Sequence, residues 1–248
     1  MPSLEGKIAF VTGSSRGIGA AIARAFTRAG ARVAIHGRDE AALEKGRAET
    51  EAALAVTADV TKFEEIERAR LQVEAAIGPI DLLVANAGGS FTPPGPIEQI
   101  TEEGWRSSVE GNLTSTFLTV KSVLPGMKSR RSGNIITMSS AAARRPHPGS
   151  PVGYAAAKAG IQIFTQDLAL QAGPFGIRVN CIAPETILTE RNEQRIPPDV
   201  KEKLISAHAI RRLGVPEDVA SAAVFLASEE SSWITGVILD IAGGATVA

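Results

Sequence analysis

The sequence predicts an α/β protein in which a doubly wound parallel sheet carries helices on both faces. Three observations predict it. Short apolar runs alternate with longer helix-type stretches along most of the 248 residues. Those runs are continuously apolar, as strands buried on both faces are. Polar or glycine-bearing turns follow their carboxyl ends, where ligands of such sheets sit.

Taken in order, Lys7 to Thr12 reads as a first strand and Ala20 to Ala29 as a helix, with Gly13-Ser14-Ser15-Arg16-Gly17-Ile18-Gly19 between them. Strand, glycine turn and helix form the opening unit of a dinucleotide fold: the glycines admit a pyrophosphate to the backbone and the helix N-terminus favours its charge. The spacing is GxxxGxG and not GxGxxG, and a tight turn with a packing glycine accounts for it equally well in isolation. Arg32 to His36 reads as a second strand, followed by Gly37-Arg38-Asp39 and a helix from about Glu40 to Glu51. In such folds this strand end meets the adenosine ribose, where a carboxylate binds a free 2′-hydroxyl and an arginine accommodates a 2′-phosphate. Arg38 and Arg16 favour NADP(H). Asp39 keeps NAD(H) open.

A third strand, Ala53 to Ala58, ends at Asp59-Val60, and Thr61 reads as the N-cap of a helix from Lys62 to Ala76. Gly78-Pro79 breaks that helix. A fourth strand, Ile80 to Ala85, ends in Asn86-Ala87-Gly88-Gly89. Phe91 to Ile100 is a proline-rich loop, and one long helix is expected from Thr101 to about Met127, with Asn112 on it as a core amide or part of a site. The strand Asn134 to Met138 ends at Ser139-Ser140. A loop from Ala141 to Val152 leads into a helix ending near Gln171, and Ile177 to Ile182 is the sixth strand. Pro184 to Ala209 lacks a pattern and reads as an irregular lid. A helix over Glu217 to Leu226 and a seventh strand over Gly236 to Asp240 complete the chain, which reads as one domain spanning residues 1–248.

Composition narrows the functions. Hydrophobic residues make up 44% and charged residues 21%, enough for a large core. The net charge is −1, from 26 basic and 27 acidic residues, which gives no basic excess for nucleic acid. The apolar runs are too short for a bilayer span and the N-terminus lacks a signal-peptide pattern, so a soluble cytoplasmic protein without a membrane partner is expected. Cys181, the only cysteine, lies in a strand-type run and reads as core; neither a disulfide nor a zinc cluster is expected.

Tyr154, the only tyrosine, stands four residues before Lys158 in a helical run. The i, i+4 spacing puts both on one helix face. An ammonium beside a phenol favours the phenolate, which makes the pair a candidate proton donor and acceptor. A surface tyrosine beside a solvated lysine is the plain alternative for the isolated pattern.

With these residues in place, the chain resembles a short-chain dehydrogenase/reductase of the single-domain type over essentially its whole length. The matching segments are Thr12 to Gly19, Asn86-Ala87-Gly88, Asn112, Ser140, Tyr154 with Lys158, and Pro184 with Ile187 and Thr189. The resemblance implies a Rossmann-type sheet of seven parallel strands. It also implies a homotetramer or homodimer that meets partly through the helices bearing Asn112 and Tyr154. By the same resemblance, Tyr154 would be the general acid in reduction and the base in oxidation. Lys158 would lower its pKa and hold the nicotinamide ribose, Ser140 would bind the substrate oxygen, and Asn112 would anchor a water-linked proton relay. Asp59, with Val60, would contact adenine, and Thr189 the carboxamide. Ser139 is the alternative to Ser140, because the interval to Tyr154 is one residue longer than usual; the loop bearing Pro146 and Pro148 would absorb the difference.

The subgroup closest in look comprises the 3-oxoacyl-acyl-carrier-protein reductases. Arg131 matches one of their carrier-docking positions, but Phe175 stands where a second basic residue belongs, which weakens a carrier-bound acyl chain as substrate. Glu185 departs from the family's Pro-Gly after the sixth strand and puts a carboxylate near the nicotinamide side. The expected activity is NADP(H)-dependent reduction of a ketone or 3-oxoacyl group to a secondary alcohol. The alternatives are an NAD(H)-dependent sugar, polyol or steroid-type dehydrogenase, and a non-catalytic NADP(H) sensor, which would lack one of the catalytic set. The loops from Phe91 to Pro96, Arg144 to Val152 and Glu185 to Ala209 are the expected pocket walls.

Overall fold

A computed structural model describes residues 2–146, 149–194 and 196–245. Seven strands form one sheet: β1 (Ile8–Val11), β2 (Arg32–Gly37), β3 (Leu54–Thr57), β4 (Leu82–Ala85), β5 (Gly133–Met138), β6 (Ile177–Pro184) and β7 (Ile238–Ile241). Their order is β3-β2-β1-β4-β5-β6-β7 and every pairing is parallel. The order reverses between β1 and β4, so a crevice opens there beyond the carboxyl ends.

Alternate residues of each strand feed opposite cores. Ala9 and Val11 of β1 pack with α1 (Gly17–Arg28) and α9 (Pro216–Ala227), and Leu43 of α2 (Glu40–Thr50) joins them. Ile8 and Phe10 pack with α3 (Phe63–Ile77), α5 (Ser115–Arg130) and α6 (Val152–Ala172) on the other face. Two-sided burial is the reason these strands read as unbroken apolar runs.

Three expectations need correction. The long helix after Thr101 is α4 (Glu102–Val109), a π turn over Glu110–Thr114, and α5, joined end to end. The Ser115 N–H bonds the carbonyls of Asn112 and Glu110, so one extra residue is looped out, as happens often beside functional sites. The supposedly irregular stretch after Pro184 contains α7 (Glu190–Glu193) and α8 (Pro198–Ala207). Neither has a fully buried residue, which is why no apolar stripe marks them in the sequence. Thr61 does not cap α3. The N-cap is Lys62, and Thr61 donates its hydroxyl and N–H to Asp59 Oδ1, at 2.7 and 3.0 Å. Pro148 lies outside the described residues.

Candidate active site

The turn after β1 is built by close approach. Gly13 has φ +62°, and a methyl group on it would stand 2.8 Å from Ala87 Cα, so the turn and the Asn86-Ala87 segment are within backbone contact. Asn86 ties them with Nδ2 bonds to Thr12 O and Gly13 O at 2.9 and 3.0 Å; Thr12 Oγ1 accepts from the N–H groups of Asn86 and Ala87. Gly46 of α2 approaches from the other side, where a methyl group would lie 2.7 Å from Ser15 O. Ser15 and Gly37 are also adjacent, at 3.4 Å by the same construction.

One residue of this assembly escaped the sequence reading as a functional group. His36 is 2% exposed at the end of β2; its Nδ1 accepts from the Gly13 N–H at 3.1 Å and its Nε2 donates to Ala58 O at 3.0 Å. It joins the glycine turn to the end of β3. Burial pushes its pKa down to about 4, against the opposing pull of the Ala58 bond and Asp59, so the ring is neutral and Nδ1 stays an acceptor. A polar side chain at a strand's carboxyl end, inside an otherwise apolar run, was the available signal.

At the ribose end, Asp39 Oδ1 accepts from Ala42 N at 3.0 Å and caps α2. Arg38 and Arg16 are exposed and make no ion pair among the described residues. Asp59 sits beyond β3, its N–H held by Glu65 Oε2 at 2.8 Å and Val60 buried beside it. Its carboxyl lies below the usual range: burial pushes it up, but the Thr61 bonds, Arg38 and Lys62 outweigh that.

Asn112 is fully buried in the π turn. Its Oδ1 accepts from Gly89 N at 3.0 Å, while Nδ2 donates to Gly89 O and Ser108 O at 2.9 and 2.8 Å. The side chain is therefore a brace that fixes the Gly88-Gly89 loop, and the Asn112 carbonyl accepts from the Ser115 hydroxyl at 3.0 Å.

Tyr154 enters on the first turn of α6, with its phenol beside the Ser140 hydroxyl beyond the end of β5. The Ser140 hydroxyl also accepts from Ala142 N at 3.2 Å. Ser139 turns inward, donating to Lys158 O at 2.8 Å and accepting from Gln162 at 3.0 Å, which rules it out as the partner of Tyr154. Lys158 is 4% exposed; its Nζ donates to Met138 O at 2.8 Å and lies 5.7 Å from the Tyr154 ring centroid. Burial lowers this ammonium to about 8. It raises the phenol above its usual value, and the Ser140 bond opposes that only in part. The expectation that Lys158 depresses the tyrosine is not what this arrangement does: Lys158 is spent on a carbonyl and burial dominates.

Pro184, the last residue of β6, and Ile187 beyond it are buried, and Thr189 caps α7, accepting from Asn192 N at 3.3 Å. A methyl group on Gly17 would be 3.4 Å from Thr189 Cγ2, and one on Gly89 would be 3.9 Å from Arg191 Nη1. The first turn of α7 thus spans the crevice between the glycine turn and the Asn86–Gly89 loop. Glu185 is partly buried and its Oε2 lies 3.2 Å from His208 Nε2. Arg131 donates to Pro174 O at 2.9 Å, and Lys128 lies 4.7 Å over the Phe175 ring, so Phe175 fills a clasp of its own.

A nicotinamide dinucleotide fits these residues. The N-terminus of α1 has no side-chain cap and no acidic residue in its first turn, which leaves its N–H groups to an anion. Among the described residues, no group of three or more His, Cys, Asp or Glu stands close enough to hold a metal ion, and no helix is long and apolar enough to cross a membrane.

Residues 13–246 match the family model described as Enoyl-(Acyl carrier protein) reductase. The chain is 38% identical to a 3-oxoacyl-[acyl-carrier-protein] reductase of Vibrio harveyi over 98% of each protein. It is equally identical to glucose 1-dehydrogenase 2 of Bacillus subtilis, over 98% of this chain and 96% of that one. Among solved structures, a 3-oxoacyl-[acyl-carrier protein] reductase with bound NAD from Brucella melitensis superposes with a TM-score of 0.90 at 35% identity, covering 100% of this chain and 94% of that one. With this fold and this extent of similarity, the chain belongs to the short-chain dehydrogenase/reductase family of oxidoreductases acting on CH–OH and C=O groups.

Proposed function

We propose that this oxidoreductase is NADP(H)-dependent and reduces a ketone or 3-oxoacyl group to a secondary alcohol, reversibly. The observation that carries the reading is the pairing of Tyr154 with Ser140 at the carboxyl end of β5, with Lys158 buried one helical turn away. The cofactor, when bound, supplies the hydride to the carbonyl carbon or removes it from the alcohol. The chain manages the proton. A phenol held above its usual pKa carries its proton at neutral pH and donates it as negative charge develops on the carbonyl oxygen. The Ser140 hydroxyl fixes that oxygen by a second hydrogen bond. Lys158 would hold the nicotinamide ribose, and Asn112 keeps the adjoining Gly88-Gly89 loop in place. Gly13, Ser15, Arg16, Gly17, Ile18 and Gly19 would receive the pyrophosphate, Asn86, Ala87 and Gly88 the middle of the cofactor, and Pro184, Ile187 and Thr189 the nicotinamide.

Preference for the 2′-phosphate rests on Arg38 and Arg16, both free of ion pairs among the described residues, and on the capping role that occupies Asp39. A free small-molecule carbonyl is favoured over a carrier-bound one, since Arg131 is engaged with Pro174 and Phe175. Phe117, Ile163 and Leu170, exposed on α5 and α6, support a homodimer or homotetramer that meets through these helices. The test is a panel of ketones, 3-oxoacyl thioesters, sugars and hydroxysteroids assayed with both cofactors. The reading requires kcat/KM for NADPH to exceed that for NADH; the reverse order with a sugar or steroid substrate would establish the NAD(H)-dependent alternative.

A further inference from the structure

We infer that Glu185 and His208 form the hinge clamp of the α7–α8 lid, coupling lid position to the segment that receives the nicotinamide; the coupling rests on the cofactor reading above. The lid leaves the sheet after β6 and returns at His208. Its two roots run side by side: Leu188 N donates to Gly214 O at 2.8 Å, and Ile187 bridges Gly214. Ile210 N donates to Gly243 O at 2.9 Å, and Glu185 N to Ile241 O at 3.0 Å. Between these roots, neither α7 nor α8 has a fully buried residue among those described. A segment with so little buried surface opens at small cost unless its base is fixed.

The base is fixed at one buried side chain. His208, 3% exposed, ends α8 with both ring nitrogens facing acceptors: Nδ1 is 2.6 Å from Leu204 O and Nε2 is 3.2 Å from Glu185 Oε2. A carbonyl only accepts, so Nδ1 donates to it. Nε2 faces Glu185 Oε2, the carboxylate oxygen that also accepts from the Thr186 N–H. A methyl group on Gly243 would come within 3.2 Å of His208 Cδ2, so the ring is also wedged against the turn after β7. Three segments therefore meet on one imidazole: the last turn of the lid, the end of β6, and the chain after β7. Glu185 stands directly before Thr186 to Thr189, and the shift that seats a ligand on that segment acts on the carboxylate that grips His208. Hinge residues of this kind sit at element ends, away from the chemistry, and alter kcat and KM together. Both are positioning residues.

Hydrogen exchange of the full chain, with and without NADPH, tests the clamp without relying on turnover. In Glu185→Ala and His208→Leu, amides of residues 190–207 should exchange about tenfold faster, while α1 and α5 keep wild-type rates. His208→Gln, which retains an N–H near the Nε2 position, should restore most of the protection even if His208→Leu folds poorly. NADPH should slow lid exchange in the wild type and fail to do so in Glu185→Ala. Unchanged lid exchange in Glu185→Ala, or a uniform acceleration across the whole chain, overturns the clamp. Absence of NADPH binding to the wild type would instead refute the cofactor reading and leave the ligand-free exchange result standing.

Discussion

Lowering the pH should weaken this protein through His36 in a way that can be isolated. The buried ring has a pKa of about 4 in the folded state against 6.5 for an unperturbed imidazole, chiefly because burial disfavours the cation. The folded pKa is the lower one, so the unfolded chain binds the proton more readily. Stability is fully present above the unfolded value, falls as the pH drops below it, and this contribution is gone once the pH passes below the folded value. The whole effect is roughly 3 kcal/mol, of which about 2 kcal/mol is lost between pH 7.5 and pH 5. At 2% exposure there is little solvent screening to reduce it. The perturbation is His36→Asn, which places an acceptor near Nδ1 and removes the titration. Urea unfolding of wild type and variant across that range reads the difference, since the remaining titrating groups are common to both. The wild-type curve should fall about 2 kcal/mol further than the variant's, while the folded ring, with its pKa near 4, stays largely neutral over that range and keeps accepting from Gly13. Parallel curves would refute a neutral His36 bridging the turn.

Other outcomes follow from the same geometry. Arg38→Asp should cut kcat/KM with NADPH roughly 10- to 100-fold, by loss of a charge-assisted phosphate contact, and leave the NADH value within a few-fold. Gly46→Ala places a methyl group 2.7 Å from Ser15 O, so it should raise the cofactor KM while the carbonyl KM stays near wild type, despite the better helix propensity of alanine. Asn112→Ala removes three buried hydrogen bonds and should cost about 2 kcal/mol in unfolding experiments, with faster hydrogen exchange at Gly89.

The sheet was legible because strands buried on both faces read as unbroken apolar runs, and the polar groups at their carboxyl ends marked the cleft. Ser140 was separated from Ser139 only by direction: both follow β5, but one turns toward Lys158 O and Gln162 and the other toward Tyr154. The π turn left no trace, since one looped-out residue inside a helix does not disturb an apolar pattern enough to be seen. The lid helices were missed because they bury no residue fully and so carry no stripe. His36 and Glu65 look in the sequence like an ordinary strand residue and an ordinary helix residue. Their work is to bind main-chain groups brought near by the topology. Spacing alone suggests that Lys158 acidifies Tyr154, but burial, invisible from spacing, raises the phenol, and Lys158 Nζ is engaged with Met138 O.

The central claim is that Tyr154 carries the proton of a carbonyl reduction, with the cofactor held by other residues. Single-turnover oxidation of NADPH by wild type and Tyr154→Phe, using the best carbonyl from the panel, tests it alongside cofactor titration of both proteins. The variant should bind NADPH within about threefold of wild type while the reduction step slows by a factor on the order of a thousand. A variant that binds the cofactor normally and still reduces the carbonyl at the wild-type rate would contradict it.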